Sequence, residues 1–435
     1  MGERITKFLG RFGYVPKMAE APDRSVPVVM ADQYTNAPFL VPYPQDIPGI
    51  EIMSNHSPIL AAVISNIRKE VFRKPLDPKA VFATKCMDCG HTSENPETQC
   101  PDCQSFNIVK SEPRHRSNWV KYLETPNIQG QKPMQMFRRL EDDLNKFDDA
   151  FMVFRFNYML DGRGVLMRKL IDTIRGPPSR MRIVSDKNAI KSGEVREATG
   201  MGWYTCPLHR KQNLQAYPGY CKMNDCGLKL EPCEFVALDG ELHPEIGYIK
   251  EEVLHWSKYS PSELYGFSPV LTCWTEAKAL VNIHRLAGVM YEQQRPPKGF
   301  LFIGGQNIES IQAAIKTAEM KLEKNPLYIP KIVVRTEGGV HNIAQYIPIT
   351  PSMDELQIIP MMKEFRDRIQ AMFGVSDILM SDTSSSGGLN NEGLQLNVTL
   401  RTIEDAQHLW EDTVFPVIAK ALGAEDYIPR FPPPI

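Results

Sequence analysis

The chain has no apolar run of about 18 residues or more, which excludes an ordinary membrane-spanning helix. Its opening, MGERITKFLGRFGYVP, lacks the apolar centre of a secretion signal. There is no excess of charge of either sign: 50 Lys and Arg stand against 52 Asp and Glu, a net charge of -2. A protein that grips nucleic acid with its whole surface is basic, so any such contact here is expected to be local or weak. The phosphate-cradling G-x-x-x-x-G-K-[ST], the dinucleotide G-x-G-x-x-G after a strand, H-E-x-x-H and G-x-S-x-G are all missing. His56, His115, His255 and His284 are scattered. Asp142-Asp143 and Asp148-Asp149 fall in a charge-rich helical stretch and read as a solvated face. No residue is a candidate for catalysis, and the chain is expected not to be an enzyme.

Other proportions are ordinary. Hydrophobic residues at 42% and charged residues at 23% exclude wholesale disorder. The 435 residues exceed one hydrophobic core and suggest about three units at roughly 150 residues each. Proline is frequent, at 35 residues, so stiff connections and interrupted helices are expected. Gly2 and Thr6 fit the myristoylation pattern, but a basic N-terminal arm over residues 1–50 is the reading preferred here. An intracellular chain is the default, so the nine cysteines are read as thiols or metal ligands before disulfides.

Most cysteines fall in two clusters. Cys86, Cys89, Cys100 and Cys103 are spaced C-x2-C-x10-C-x2-C. Two residues between cysteines let a tight turn aim both sulfurs at one point, and two such turns complete a tetrahedral thiolate shell. Gly90 follows the second cysteine, where the turn needs a permissive backbone. The spacing predicts a closed, structural zinc site that supplies folding energy to a small module over 84–106. Cys206, His209, Cys221 and Cys226, spaced C-x2-H-x11-C-x4-C before Gly227, predict a second zinc site in a module over 204–228. Cys233 is an alternative ligand there, and His209 is alternatively a surface histidine. Cys273 lies in an apolar helical stretch and reads as a packed thiol. Asp88, Glu94, Glu97 and Asp102 make the first cluster acidic, which favours a protein-contact or stabilising module over a base-reading finger.

Periodicity gives the remaining elements. Ser57-Pro58 reads as a cap and first turn, followed by the stripe Leu60, Val63, Ile64, Ile67 and Val71. A helix carries Phe137, Leu140, Leu144 and Phe147 on one face. The strand 150–160 turns at Asp161-Gly162 into a returning strand, and Met181–Val184 and Phe235–Leu238 are strand-like. Ser268-Pro269 opens a helix to Arg295. Strands are expected at Phe300–Ile303, Tyr328–Val334 and Tyr346–Ile349, with an amphipathic helix over 307–324. Ser352 and Glu355 form a capping box for a helix ended by Gly374 and kinked by Pro360. The segment 381–393 is a polar Gly/Ser-rich loop, and the helix after it is interrupted by Pro416 and closed by Gly423.

Tyr265, Gly266, Ser268 and Pro269, in the segment VLHWSKYSPSELYGFSP, resemble the Tyr-Gly-x-Ser-Pro turn of the portal proteins of tailed double-stranded-DNA viruses. The likeness extends to Pro296-Pro297-Lys298-Gly299, to Phe373-Gly374-Val375 and to Asn390, Asn391 and Glu392, and covers about 51–422. The zinc modules are not part of the family pattern, and with a short chain after Leu422 a large crown is not expected.

The resemblance implies an α+β portal-like subunit with an arm at 1–50, a wing at 51–265 carrying both zinc insertions, and a stem helix at 266–295. It further implies a small αβ clip at 296–350, a second stem helix at 351–375 and a tunnel loop at 376–393. A long helix with a short crown or tail would occupy 394–435. Twelve copies would form a ring at one capsid vertex, assembled in the host cytoplasm. Through it DNA would pass, with Ser384, Ser385, Ser386, Asn390 and Asn391 facing the duplex. Partners implied are terminase, the major capsid or scaffolding protein, and head-completion or tail adaptor proteins, with no membrane. Short neutral side chains suit a conduit, because a polyanion must slide past without being held. Ring closure would also cover helices more apolar than one subunit buries. The competing reading is a zinc-dependent nucleic-acid-binding regulatory protein.

Overall fold

The computed structural model describes residues 39–160, 166–184, 202–210, 213–223, 226–241, 243–259, 264–293, 299–304, 331–334, 344–348, 358–380 and 389–432, with Ala313 and Lys316. Two helices open it, α1 (Ile47–His56) and α2 (Pro58–Val71). Ser57 stands between them, but its hydroxyl is buried and caps nothing. Its backbone N–H still continues α1 to the Met53 carbonyl, so the residue is a packed joint, and the fixed φ of Pro58 starts α2. The α2 stripe is buried throughout.

Strand β1 (Asp77–Ala80) precedes the first cysteine module, made of β2 (Thr84–Cys86), β3 (Thr92–Ser93) and β4 (Ile108–Lys110). Two more helices follow, α3 (Pro113–Glu124) and α4 (Pro133–Phe147). A long antiparallel hairpin, β5 (Ala150–Leu160) and β6 (Leu166–Gly176), then leads to β7 (Met181–Ile183). Its turn at Asp161-Gly162 lies outside the described residues. Residues 150–154 are buried on both faces, because α4 covers the strand and the sheet continues beyond it. The second cysteine module contributes β8 (Tyr204–Thr205) and β9 (Glu231–Pro232). Strands β10 (Phe235–Leu238), β11 (Pro244–Tyr248) and β12 (Val253–Trp256) complete two sheets, ordered β12-β5-β6 and β11-β10-β7.

Ser268 caps a single turn, α5 (Pro269–Thr272), by accepting from the Val270 N–H at 3.2 Å. The helix expected to Arg295 is broken at Cys273 and resumes as α6 (Trp274–Gln293). Strands β13 (Gly299–Gly304), β14 (Lys331–Val334) and β15 (Ala344–Pro348) form a separate sheet, parallel between the first two and antiparallel between β13 and β15. Of the helix expected over 307–324, only Ala313 and Lys316 are described, both helical. The capping box at Ser352 and Glu355 lies outside the described residues. Helix α7 (Ile358–Met372) packs on α6 and ends before Gly374, whose φ of +64° is left-handed. Pro360 falls in its first described turn.

The last helix departs from expectation in an instructive way. Pro416 does not break it. Helix α8 (Leu389–Leu409) runs through a π turn at Trp410–Val414 into α9 (Phe415–Leu422). The wider turn lets Phe415 donate to the Trp410 carbonyl and makes room for the proline ring. The π turn also aims Trp410 inward, against Phe72 at 5.1 Å, Phe137 at 5.3 Å and Trp256 at 5.5 Å. The chain then returns as β16 (Tyr427–Arg430), which pairs antiparallel with β1. One continuous core therefore takes side chains from α1 to α4, the central sheet, α5 to α7 and the C-terminal helices.

Candidate metal centres and a buried joint

The first cysteine module contains two turns of one design. Cys86 accepts from the Gly90 N–H at 3.0 Å and donates to the His91 carbonyl at 2.8 Å. Cys100 does the same with Gln104 at 2.9 Å and Ser105 at 2.8 Å. Each turn places the residue after its second cysteine in the left-handed region, Gly90 at φ +81° and Gln104 at +59°. The turns face one another, and all four Sγ atoms lie within 4.8 Å. Sγ–Sγ separations are 3.6 Å for Cys86–Cys103 and 3.4 Å for Cys89–Cys100. A disulfide would need about 2.05 Å, whereas a tetrahedron of Zn–S bonds of about 2.3 Å has edges near 3.8 Å.

The ionisation of these thiols points the same way. The Cys89 N–H holds the Cys86 thiol down at about 7. At Cys89 the His91 N–H favours the thiolate, but the thiols of Cys100 and Cys103, burial and Cys86 outweigh it and push the group up to about 12. Four thiols converging on one point cannot all ionise unless a cation sits among them. The module has almost no apolar interior to hold it otherwise, with Cys86 and Cys100 its buried apolar side chains.

The second group is built from Cys206, His209, Cys221 and Cys226, whose ligand atoms also lie within 4.8 Å of one another. Cys206 Sγ is 3.7 Å from Cys226 Sγ, and His209 Nδ1 is 3.5 Å from Cys221 Sγ and 3.9 Å from Cys206 Sγ. A mixed sulfur–nitrogen edge of such a tetrahedron is about 3.6 Å. Gly227, at φ +60°, repeats the left-handed position after the last ligand. Burial, outweighing the N–H groups of His209 and Leu208, pushes Cys206 to about 11. Cys233 does not join the group: its thiol packs with Leu40, Val184, Val236 and Leu238. Both groups can hold a metal ion. Cys273 is a buried thiol bonded to the Pro269 carbonyl at 3.4 Å, and burial, with Glu276 nearby, pushes it to about 12.

Beside the second group lies an ion pair the sequence did not suggest. Arg210 follows His209 directly, and its guanidinium meets the fully buried carboxylate of Glu252. The same guanidinium lies 5.5 Å and 5.8 Å from the ring centres of Tyr158 and Tyr248. Glu252 also accepts from the Tyr158 hydroxyl and from the Ile249 N–H at 3.0 Å. Burial pushes this carboxyl up, and Arg210 opposes the shift.

The acidic pairs are not a solvated face. Asp148 ends α4 in a left-handed conformation, φ +59°, and is fully buried with Asp149. Asp148 Oδ1 accepts from the N–H groups of Lys258 and Tyr259, each at 2.7 Å. Asp149 Oδ1 meets His255 Nε2 at 2.7 Å and the Gly266 N–H at 2.9 Å, while Oδ2 accepts from the Tyr43 hydroxyl. Asp143 forks onto Arg175 at 2.5 and 2.6 Å, and burial, opposed by Arg175, raises it to about 6. Asp142 pairs with Arg68 at 2.6 Å. These carboxylates turn inward because a strand and a turn end there with unpaired N–H groups. A signal was present: Glu141 sits between Phe137 and Leu144 on the apolar stripe, and it is buried against Trp410 Nε1 at 2.8 Å.

The turn at 265–269 is the centre of this joint. The Tyr265 hydroxyl accepts from the Ile183 N–H at 2.8 Å and donates to the Val41 carbonyl at 3.1 Å. Gln45 holds Ser268 N–H at 3.0 Å and donates to the Gly266 carbonyl. Ser268 Oγ donates to the Lys146 carbonyl at 2.5 Å. A Cβ on Gly266 would lie 2.0 Å from the Asp148 carbonyl oxygen, so glycine alone fits. The expected loop residues Ser384, Ser385 and Ser386 lie outside the described residues. Asn390 and Asn391, expected in the loop, fall instead in the first turn of α8, which begins at Leu389, with side chains outside the description.

No protein-family model matches the chain, and no curated protein matches it. A chain in the neck of a native gene transfer agent particle, computed with twelvefold symmetry, is 11% identical. It is matched over 93% of this chain and 89% of its own length, with a TM-score of 0.47. A chain in the neck of the empty particle, computed with sixfold symmetry, is 13% identical, over 93% and 90%, at 0.45. An HK97 family phage portal protein from Corynebacterium diphtheriae is 12% identical over 88% of this chain and 93% of its own, at 0.40. The likeness thus spans most of the chain, and superpositions this loose carry no argument beyond it.

Proposed function

We propose that the chain is one subunit of a portal ring, a channel at a capsid vertex through which double-stranded DNA enters and leaves. Residues 51–265 would form the outer wing, 266–295 and 351–375 the stem, and 296–350 the clip that docks terminase and later the head-completion and tail proteins. The segment 376–393, whose end 389–393 belongs to α8, would line the tunnel, with the rest of α8 behind it. No catalytic step belongs to this reading. The Asp149–His255 contact would serve to fix the joint between wing and stem, consistent with its burial beneath the Tyr43 and Gly266 contacts.

The observation that carries the proposal is apolar surface on the helices that one subunit leaves uncovered. Ile359 on α7 is 76% exposed and Val398 on α8 is 55% exposed, with Met361 and Leu396 also open. A heterologous contact repeated around a ring would cover them without leaving a free edge. The resemblance of 253–269 to the portal turn supports the same reading, since those residues make the joint on which stem and wing depend.

Zinc is the metal that suits both groups, because soft thiolates in a tetrahedron select it. Four protein ligands close the shell in each case, so the ion would hold the fold and supply no open position for chemistry. Cys86, Cys89, Cys100 and Cys103 would hold one ion, and Cys206, His209, Cys221 and Cys226 the other.

Light scattering and end-on electron micrographs test the ring. A closed particle about an order of magnitude heavier than the 49.4 kDa chain is expected. A chain that stays single or paired under every assembly condition, with no annulus, overturns the proposal. If that small species also bound DNA with steep salt dependence, the regulatory reading would replace it.

A further inference from the structure

We infer that the first cysteine module of one copy docks into the groove between α3, β6 and α9 of the next copy, an acidic apolar knob in a basic apolar socket. The inference rests on the ring reading and names a contact that would build it.

The socket is a groove of about 720 Å³. Its floor is apolar, from Phe154, Phe156, Leu170 and Leu422, and Ile171 at its mouth is 57% exposed. Lys121, Lys169 and Lys420 converge on it, all exposed. The acids that also line it are already neutralised: Asp172 pairs with Arg155 at 2.9 Å, and Glu251 with Arg168. Among the described residues none of the three lysines makes an ion pair, so the groove presents a positive face over an apolar floor. Such a surface suits an acidic protein segment that carries apolar side chains of its own.

The knob has the complementary character. Asp88, Glu94, Glu97 and Asp102 outnumber Lys85 and Lys110, and the His91 imidazole is turned onto Asp102 at 2.8 Å. Phe106 is 75% exposed and Met87 is 59% exposed, on a module too small to bury them itself. Knob and socket sit at opposite ends of α3. The module enters that helix through β4, where the Glu112 N–H donates to Asp426 at 2.9 Å. The socket uses Asn118, Lys121 and Tyr122 from the second half of the helix and Thr125 just past its end. The helix is about 18 Å long, so the two patches are held apart on one chain and meet between copies. Two different patches in contact make a heterologous interface, the kind that closes into a ring.

The test uses charge reversal on each side. Lys169→Glu with Lys420→Glu alters the socket, and Glu94→Lys with Glu97→Lys alters the knob without touching a metal ligand. Metal content of each purified chain reports folding. Each variant alone is expected to remain a small species at a concentration where the native chain forms rings. Mixed in equal amounts they should form rings again, since reversed knob meets reversed socket in alternation. Variants that assemble like the native chain overturn the contact while leaving the ring standing, as does dispersal that mixing does not repair. A native chain that never assembles overturns the ring reading itself. Should a reversed chain lose its metal, Phe106→Ala and Ile171→Ala, which change neither charge nor ligands, must each raise the assembly concentration about tenfold. No change there also overturns the contact.

Discussion

The two cysteine modules each gather four ligands about one point, four thiols in the first and three thiols with an imidazole in the second, yet they are held by the rest of the chain in different ways. The first is joined to the rest by the chain that leaves β1 and enters α3, and it contributes no residue to the hydrophobic core cluster. The second places Arg210 against the wholly buried carboxylate of Glu252, in the turn before β12. A ligand set of this kind is local in both cases, but what its loss does to the protein depends on the residue next door. In the first module unfolding has nothing to drag with it. In the second it withdraws the partner of a buried charge.

Arg210→Ala should therefore cost the most, about 3–5 kcal/mol, because Glu252 would remain buried and unpaired. Chemical denaturation of the whole chain reads this, and a loss below 1 kcal/mol would erase the contrast between modules. Cys206→Ser should release one metal equivalent and also loosen β5, β6 and the Glu252 turn. Hydrogen exchange should rise at Tyr158 and Tyr248, outside the module itself. Cys86→Ser should release one equivalent too, with faster exchange confined to residues 84–110 and little change in the main melting transition. Exchange spreading into α2 or α4 would contradict that confinement.

Two smaller changes sharpen the comparison within the first module. Gly90→Ala forces a side chain into φ +81°, where nothing crowds the Cβ, so the cost is backbone strain of about 1–2 kcal/mol. It should appear as weaker metal retention in a competition with a chelator. Gln104 occupies the equivalent place at φ +59° and carries that strain already. Gln104→Gly should tighten metal retention modestly, by about 0.5 kcal/mol once the freer unfolded chain is discounted. Equal or weaker retention would show that the Gln104 backbone is not strained.

Legibility followed the range of the interactions. The α2 stripe and the strand composition of β5 needed only a few neighbouring residues, and both were readable, whereas the burial of 150–154 on both faces was not. The cysteine turns were readable too, because a two-residue spacing between ligands leaves little choice of geometry. The second group was readable as a cluster, but not the choice between Cys226 and Cys233. That choice was made by β10, whose sheet claims Cys233 for its own packing with Val236 and Leu238. Likewise Pro416 announced an interruption, and a π turn absorbed it in order to bring Trp410 into the core.

The sequence by itself determined which residues gather into metal-ligating groups, where α2, α5 and β5 begin, and that Gly266 stands in a special turn. Tertiary structure alone decided that Asp148 and Asp149 face inward, that Arg210 finds Glu252, and that β16 pairs with β1 more than 300 residues earlier in the chain. The reason is physical. Spacing and periodicity act through local geometry, which the sequence carries in full. The direction of a charged side chain is settled by which distant N–H or cation lacks a partner, and that is known only once the chain has closed on itself.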